Sequence, residues 1–462
     1  MKLWQTASDE PDELAESVER FTAEADVGHD QALVRYDILG SMAHARTLGE
    51  IGVLTHQESA MLHHALQALL ENPPEVTPAD EDVHTAIENR LIDELGDLGA
   101  KLHTGRSRND QILVDTRLYT KDALIRIARR AIEAAESLTA LARKHERTPM
   151  PGETHTRRAM PSTVGLWASA YAEGLWETLG PLEATFDLND RCPLGAAAGY
   201  GAPLHLDRER TAELLGFSDV QTNVLNAVHS RGPVEFQTVN TLGTVMLVVG
   251  RLAEDLVRFS SEAFDFFELP EAMTTGSSIM PHKRNPDVAE LLRARTGSVI
   301  AEGTQIALTM KGLSQGYHRD SQETKGALMR ALATTESCLE MLPPLVDGLT
   351  VNESTLREAM RPELFVTDRV FDLVDGGVSF RDAYRRVKTE LSNGKDEAVP
   401  ATDEWLARRS SLGAPGNLGL EQFDERLAEA KTSWSAESEK FSSALQRLAD
   451  GHFGTPHGGG ER

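Results

Sequence analysis

Two hydroxyls, two cations and an amide are packed between Ser277 and Asn285, in the stretch Gly276-Ser277-Ser278-Ile279-Met280-Pro281-His282-Lys283-Arg284-Asn285-Pro286-Asp287. A leading glycine and two prolines bar a regular helix through it. Asp287 then opens an apolar-periodic segment carrying Val288, Leu291 and Leu292, so the loop runs into a helix N-terminus. Backbone N–H groups and the helix dipole favour a bound anion there, and Lys283 adds a full charge. The chemistry is that of a carboxylate or phosphate site. A surface loop with a helix cap is the plainer reading of the same composition.

Three further stretches carry groups of the same kind. In KLHTGRSRNDQ, Lys101 to Gln111, Gly105 breaks the preceding segment, and a run free of Gly and Pro extends from Asp110 to Glu146. Ser107, Arg108 and Asn109 therefore fall at a helix N-terminus, where donors converge on an anion. In PGETHTRRAMP, Pro151 to Pro161, His155 is the best-placed acid–base group, because imidazole titrates near neutrality. Pro151-Gly152 reads there as a turn and Pro161 as the start of a long helix through Leu179. In GYHRDSQETK, Gln322 and Lys325 stand three apart and share a helix face close after Tyr317. His84 lies one turn from Glu88 in EDVHTAIE, and either a solvated helix-face histidine or a substrate contact fits that position.

The loop at 276–287 resembles the signature loop GSSxMPxKxNP of the fumarase, aspartase and argininosuccinate lyase superfamily, and every fixed position is present. HTGRSRNDQ resembles the argininosuccinate lyase version of the superfamily's first motif. LVRYDILGSMAHARTLGEIGVLT, EDVHTAIENRL and PELFVTDRVFDLVDGGVSFRDAYRRVKTEL are similar to segments of the same family, so the resemblance runs from about Leu33 to Lys388. There are departures. The family usually has Tyr, Gln and Gln where this chain has Glu153, Arg157 and Met160, and Asn-Lys where it has His318-Arg319. Asn226 to Arg231 is only a loose match.

The resemblance implies reversible elimination of fumarate from argininosuccinate to leave arginine, the last step of arginine biosynthesis. It also implies an all-α homotetramer with a twenty-helix bundle, whose active sites each gather the motif regions from three subunits. Ser277 stands at the family's base position. Lys283 and Asn285 would stabilise the doubly charged aci-carboxylate formed when a weakly acidic Cβ proton leaves. His155 would protonate the departing guanidino nitrogen with Glu290 orienting its ring. Ser107, Arg108, Asn109, Thr154 and His84 would bind substrate, and Tyr317, Gln322 and Lys325 would grip its amino-acid end. No cofactor or metal is expected, since no His/Cys/carboxylate cluster stands at ligand spacing in the sequence. Two other readings remain: an adenylosuccinate lyase-type sister enzyme, and a non-catalytic crystallin-like protein on the same fold.

Nearly every long segment that must position these groups has helical periodicity. Leu113, Leu118, Leu124, Ile127, Ala131, Ala134 and Leu138 form a stripe fit for a buried bundle helix. Gly232-Pro233 starts another, to about Phe264, whose apolar stripe is wide enough to face other subunits as well. The expected division is 1–105, a helical N-terminal domain; 106–350, a central long-helix domain bearing the loop at 274–287; and 351–462, a small helical C-terminal domain ending in a disordered HGGGER tail. The formal net charge of −25 argues against nucleic acid as a partner. Two cysteines, Cys192 and Cys338, exclude a disulfide framework and read as packing residues. No run of eighteen apolar residues exists to span a membrane, and the N-terminus shows no basic stretch followed by an apolar core. The expected location is cytoplasmic.

Overall fold

The computed structural model describes residues 17–18, 20–392 and 398–453; the first sixteen residues and the Gly-rich tail considered above lie outside them. Helices dominate, as periodicity requires. The N-terminal helices are α1 (Val34–Glu50), α2 (His56–Glu71) and α3 (Val83–Leu95). Each of the latter two starts on a side-chain cap, Thr55 in a capping box and Asp82 through its carboxylate on the Thr85 N–H.

Helix α4 (Arg108–Lys144) is the axis of the molecule. Its 37 residues span about 55 Å at the usual helical rise. Ser107 caps it, and its buried stripe runs from Ile112 to Ala142. Against it pack α5 (Val164–Glu177), α9 (Gln322–Glu340) and the N-terminal α1, with α6 (Leu179–Asn189) beside them. Helix α7 (Pro233–Phe259) packs along α8 (Asp287–Met310), and both contact α9. Five long helices, α4, α5, α7, α8 and α9, thus make the bundle. Each fully buried leucine in such a core contributes about 2 kcal/mol.

The outer faces of α7 and α8 stay apolar and open. Leu247, Leu291 and Leu308 are each more than half exposed, and Phe236 and Ile300 are also uncovered. Large apolar side chains left open on both helices offer surface for an interaction.

Strands among the described residues are short pairings, and only β1 (Pro149–Thr154) with β2 (Arg157–Thr163) exceeds two residues a side. This hairpin corrects the reading of Pro151-Gly152 as the turn and of Pro161 as a helix start. Pro161 sits in β2, and the helix begins only at Val164. A second small hairpin, β3 (Thr275–Gly276) with β4 (Arg284–Asn285), closes the signature loop.

The last helix, α12 (Leu420–Ala449), follows the α10 (Val366–Asp375) and α11 (Phe380–Ser392) pair, which has its own small core of Val370, Ala383 and Val387. Helix α12 instead returns to pack on α4 and joins the main core through Phe423, Trp434 and Phe441. Lys121 of α4 fixes that return. It is fully buried, ion-paired with Asp190, donates to the Gly216 carbonyl at 2.8 Å, and lies 4.4 Å and 4.5 Å from the Phe217 and Phe441 ring centres.

Cys192 and Cys338 are both buried. Burial pushes the Cys192 thiol up to about 12, which makes it inert as a nucleophile.

Candidate active site

The signature loop stands out from the body of the protein. Ile279 is 82% exposed, and Lys283 and Glu290 are exposed as well. Glu271 and Thr275 tether its base, pairing with Arg284 at 2.7 Å and bonding Asp287 respectively. Inside the loop, the Ser277 hydroxyl oxygen accepts from the backbone N–H groups of Ile279 and Met280, at 3.3 Å and 3.1 Å. Two amides aimed at one hydroxyl oxygen are what an alkoxide needs. The ammonium of Lys283 makes no ion pair among the described residues. Asn285 is half-buried in β4 and leads into α8.

The β1–β2 hairpin presents the second group. His155 and Thr156 form its two-residue tip with φ of 52° and 58°, so both sit in the left-handed region that a type I′ turn demands. Non-glycine residues pay for that conformation. Thr154, His155 and Thr156 are exposed. Arg258 of α7 holds the hairpin through Glu153 at 2.6 Å, and Arg158 donates to the Ala359 carbonyl at 3.0 Å. Glu153, one of the departures noted above, is therefore an anchor for the hairpin. Among the described residues no hydrogen bond or ion pair joins Glu290 to His155.

The third group surrounds the start of α4. Ser107 caps the helix by accepting from the Asn109 N–H at 3.3 Å, and Asp110 returns the bond to the Ser107 N–H at 2.9 Å. The other Asp110 oxygen accepts from Gly195 and Ala197 N–H at 3.0 Å and 2.7 Å. The Gly- and Ala-rich segment Gly195 to Gly201 thus starts against a buried carboxylate, which burial raises to about 6 against those donors. The Arg108 guanidinium is held by Asp82 at 2.8 Å, Glu81 at 3.4 Å and the Thr85 hydroxyl at 2.8 Å. Ser107 and Arg108 therefore shape the helix start, and Asn109, whose amide makes no hydrogen bond among the described residues, lines the adjoining cavity.

That cavity, of about 160 Å³, brings together His84, Asn109, Tyr317, Gln322 and Lys325 from widely separated stretches. Lys325 is buried against Asp30 and Asp26, the latter at 2.8 Å, and the Gln322 amide donates to the Thr22 carbonyl at 3.0 Å. The N-terminal segment supplies this acidic wall, and nothing in the motif spacing announced it.

His84 is buried and does not meet Glu88. Its Nδ1 bonds Asp37, with Asp115 at 3.7 Å. Burial by itself would depress its pKa; the Asp37 charge and hydrogen bond, with Asp82 and Asp30 behind, carry it upward. Burial, with the Asp37 charge beside it, pushes Asp115 well above the usual carboxylate range. These three residues set potential ligand atoms within 4.8 Å of one another, a grouping that no sequence spacing revealed.

A histidine raised in the folded state stabilises fully below its ordinary value near 6.5 and loses that contribution as pH climbs through the folded value. His44, His63, His103 and His145 are all depressed by burial, and whatever slope they add just above 6.5 is the same in the wild type and in a His84 variant. The melting temperature is expected to fall between pH 6.5 and 9 more steeply in the wild type than in His84→Gln. Parallel melting curves across that range would show that His84 carries no such charge.

Residues 12–301 match the lyase family model. The argininosuccinate lyase of Sorangium cellulosum (strain So ce56) is 47% identical over 414 residues, covering 88% of this chain and 95% of the relative. That of Thermotoga neapolitana is 38% identical, covering 86% and 99%. Among solved structures, EDDS lyase in complex with formate superposes with a TM-score of 0.79 at 24% identity, covering 96% and 95% of the two chains. A class II fumarase from Schistosoma mansoni gives 0.69 at 17% identity, covering 86% and 89%. The fold is shared across these lyases, and the chain, similar over most of its length to the two argininosuccinate lyases above, belongs to the argininosuccinate lyase family of carbon–nitrogen lyases.

Proposed function

We propose that the protein releases fumarate from argininosuccinate, leaving arginine, in the cytoplasmic closing step of arginine synthesis, and that it does so as a homotetramer with shared sites. The observation that carries the reading is the pair of backbone N–H groups on the Ser277 oxygen. They lower the cost of the alkoxide that must take the weakly acidic Cβ proton. The negative charge then gathers on the neighbouring carboxylate, where Lys283, Asn285 and the α8 N-terminus oppose it. The C–N bond breaks with its electron pair going to the guanidino nitrogen, which takes a proton from His155 while Glu290 orients the imidazole. Thr154 and Asn109 bind the fumarate half, with Ser107 and Arg108 setting the helix start. Tyr317, Gln322, Lys325 and His84 shape the amino-acid end.

Within one chain these groups stand apart. Lys283 borders a groove of about 730 Å³ beside α7, Glu153 and Thr156 border one of about 450 Å³, and Asn109 with Lys325 borders the acidic cavity. Uncovered leucines along α7 and α8 supply the surface on which further chains would close. The three-part division at 105 and 350 accompanies this reading, with α12 packed back on the bundle. No helix among the described residues is long and apolar enough to cross a membrane.

Fumarate's ultraviolet absorbance, followed after adding argininosuccinate and then adenylosuccinate, tests the reaction, and light scattering tests the assembly. Release from the first substrate alone, by a particle of four chain masses, is the expected result. Release from adenylosuccinate would move the reading to the sister enzyme, and release from neither would leave a structural protein on this fold.

A further inference from the structure

Arg231 carries a charge that no ion pair answers among the described residues. It precedes α7, is only 7% exposed, and lines both the acidic cavity and a neighbouring one of about 250 Å³. No ion pair or hydrogen bond reaches its guanidinium among the described residues; its one recorded neighbour is the Tyr317 ring, 6.0 Å from the ring centre. Every other cation of the acidic cavity is matched. Arg108 has Asp82 and Glu81, Arg319 has Glu81, and Lys325 has Asp26 and Asp30. A buried guanidinium without a counter-charge is costly, and its planar fork fits a carboxylate through two parallel bonds.

We propose that Arg231 binds the α-carboxylate of the arginine half of the substrate and sets the specificity for a free amino acid at that end. The inference rests on the amino-acid end lying in this cavity, as read above. The acids of its wall then face the α-ammonium, while Arg231 faces the α-carboxylate at the junction of the two cavities. The neighbouring cavity, with Leu113, Val228 and Met310 in its lining, accepts aliphatic chain.

Agmatine, which is arginine without its carboxylate, isolates the contact. Calorimetric titration of the assembled wild type and of Arg231→Gln with each compound gives four affinities. The wild type is expected to bind arginine about 10- to 100-fold more tightly than agmatine, the range of a charge-assisted bond. Arg231→Gln should bring that ratio near one by weakening arginine alone, and Arg231→Lys should restore part of it. A variant that keeps the wild-type ratio, or weakens both ligands equally, overturns the assignment even if argininosuccinate is still turned over. A wild type that binds neither compound and releases no fumarate sinks the underlying site reading together with it.

Discussion

Ser277→Ala should abolish turnover while leaving fold and assembly intact. The hydroxyl lies in an exposed loop and, among the described residues, bonds only to the N–H groups of Ile279 and Met280, so its loss should change stability by no more than about 0.5 kcal/mol. Its chemical loss is far larger. A positioned base contributes roughly 10²-fold or more to a proton transfer, and alanine removes the hydroxyl on which two loop amides converge. Purified variant of unchanged mass and melting temperature, assayed by fumarate release, is expected below a hundredth of the wild-type rate. Retention of more than about a tenth would contradict the base role, since the remaining donors stabilise charge but cannot accept the proton.

The second large effect is a recovery. His155 sits at the tip of the β1–β2 hairpin, and Lys283 lies in the loop closed by β3–β4. If each site draws these two groups from different chains, tetramers mixing His155→Asn and Lys283→Ala subunits contain some sites with both lesions and some with neither. Two individually inactive proteins should then regain activity on co-refolding, with no new contact formed. A chain that completes its own site could not do this, because every site would keep one lesion. Differently tagged subunits establish that mixed tetramers exist. Mixed assemblies that stay inactive at every ratio would show that His155 and Lys283 serve the same site from one chain.

The legible part of the site was the part written in contiguous residues. Glycine, prolines and crowded donors at 276–287 marked a loop entering a helix, and the structure puts Asp287 at the first turn of α8. The Gly and Pro-free run after Asn109 marked α4. Where partners come from distant sequence, the residues themselves were silent. His84 looked toward Glu88 one turn away on its own helix, yet folding gives it Asp37 and Asp115 from two other helices. Arg231 lay in a loosely matching stretch, and only its burial without a partner singles it out. The clue within the sequence was faint: an arginine flanked by Ser230 and Gly232, with no acid beside it to claim its charge.

By itself the sequence determined that this protein is helical, where its long helices start, and that the loop at 276–287 crowds hydroxyls and cations ahead of a helix. Those are local matters of periodicity, caps and backbone constraint, and a single stretch contains all the interactions they need. Tertiary structure alone decided that PGETHTRRAMP is a hairpin with His155 in a left-handed turn. Pairing of β1 with β2 outweighs the strain at two non-glycine residues, and no local propensity reports such pairing. It likewise decided that Asp26 and Asp30 face Lys325, and that α12 returns to α4 around the buried Lys121. Each of those depends on charges meeting in a low-dielectric interior, where burial makes a partner obligatory but does not name it in advance.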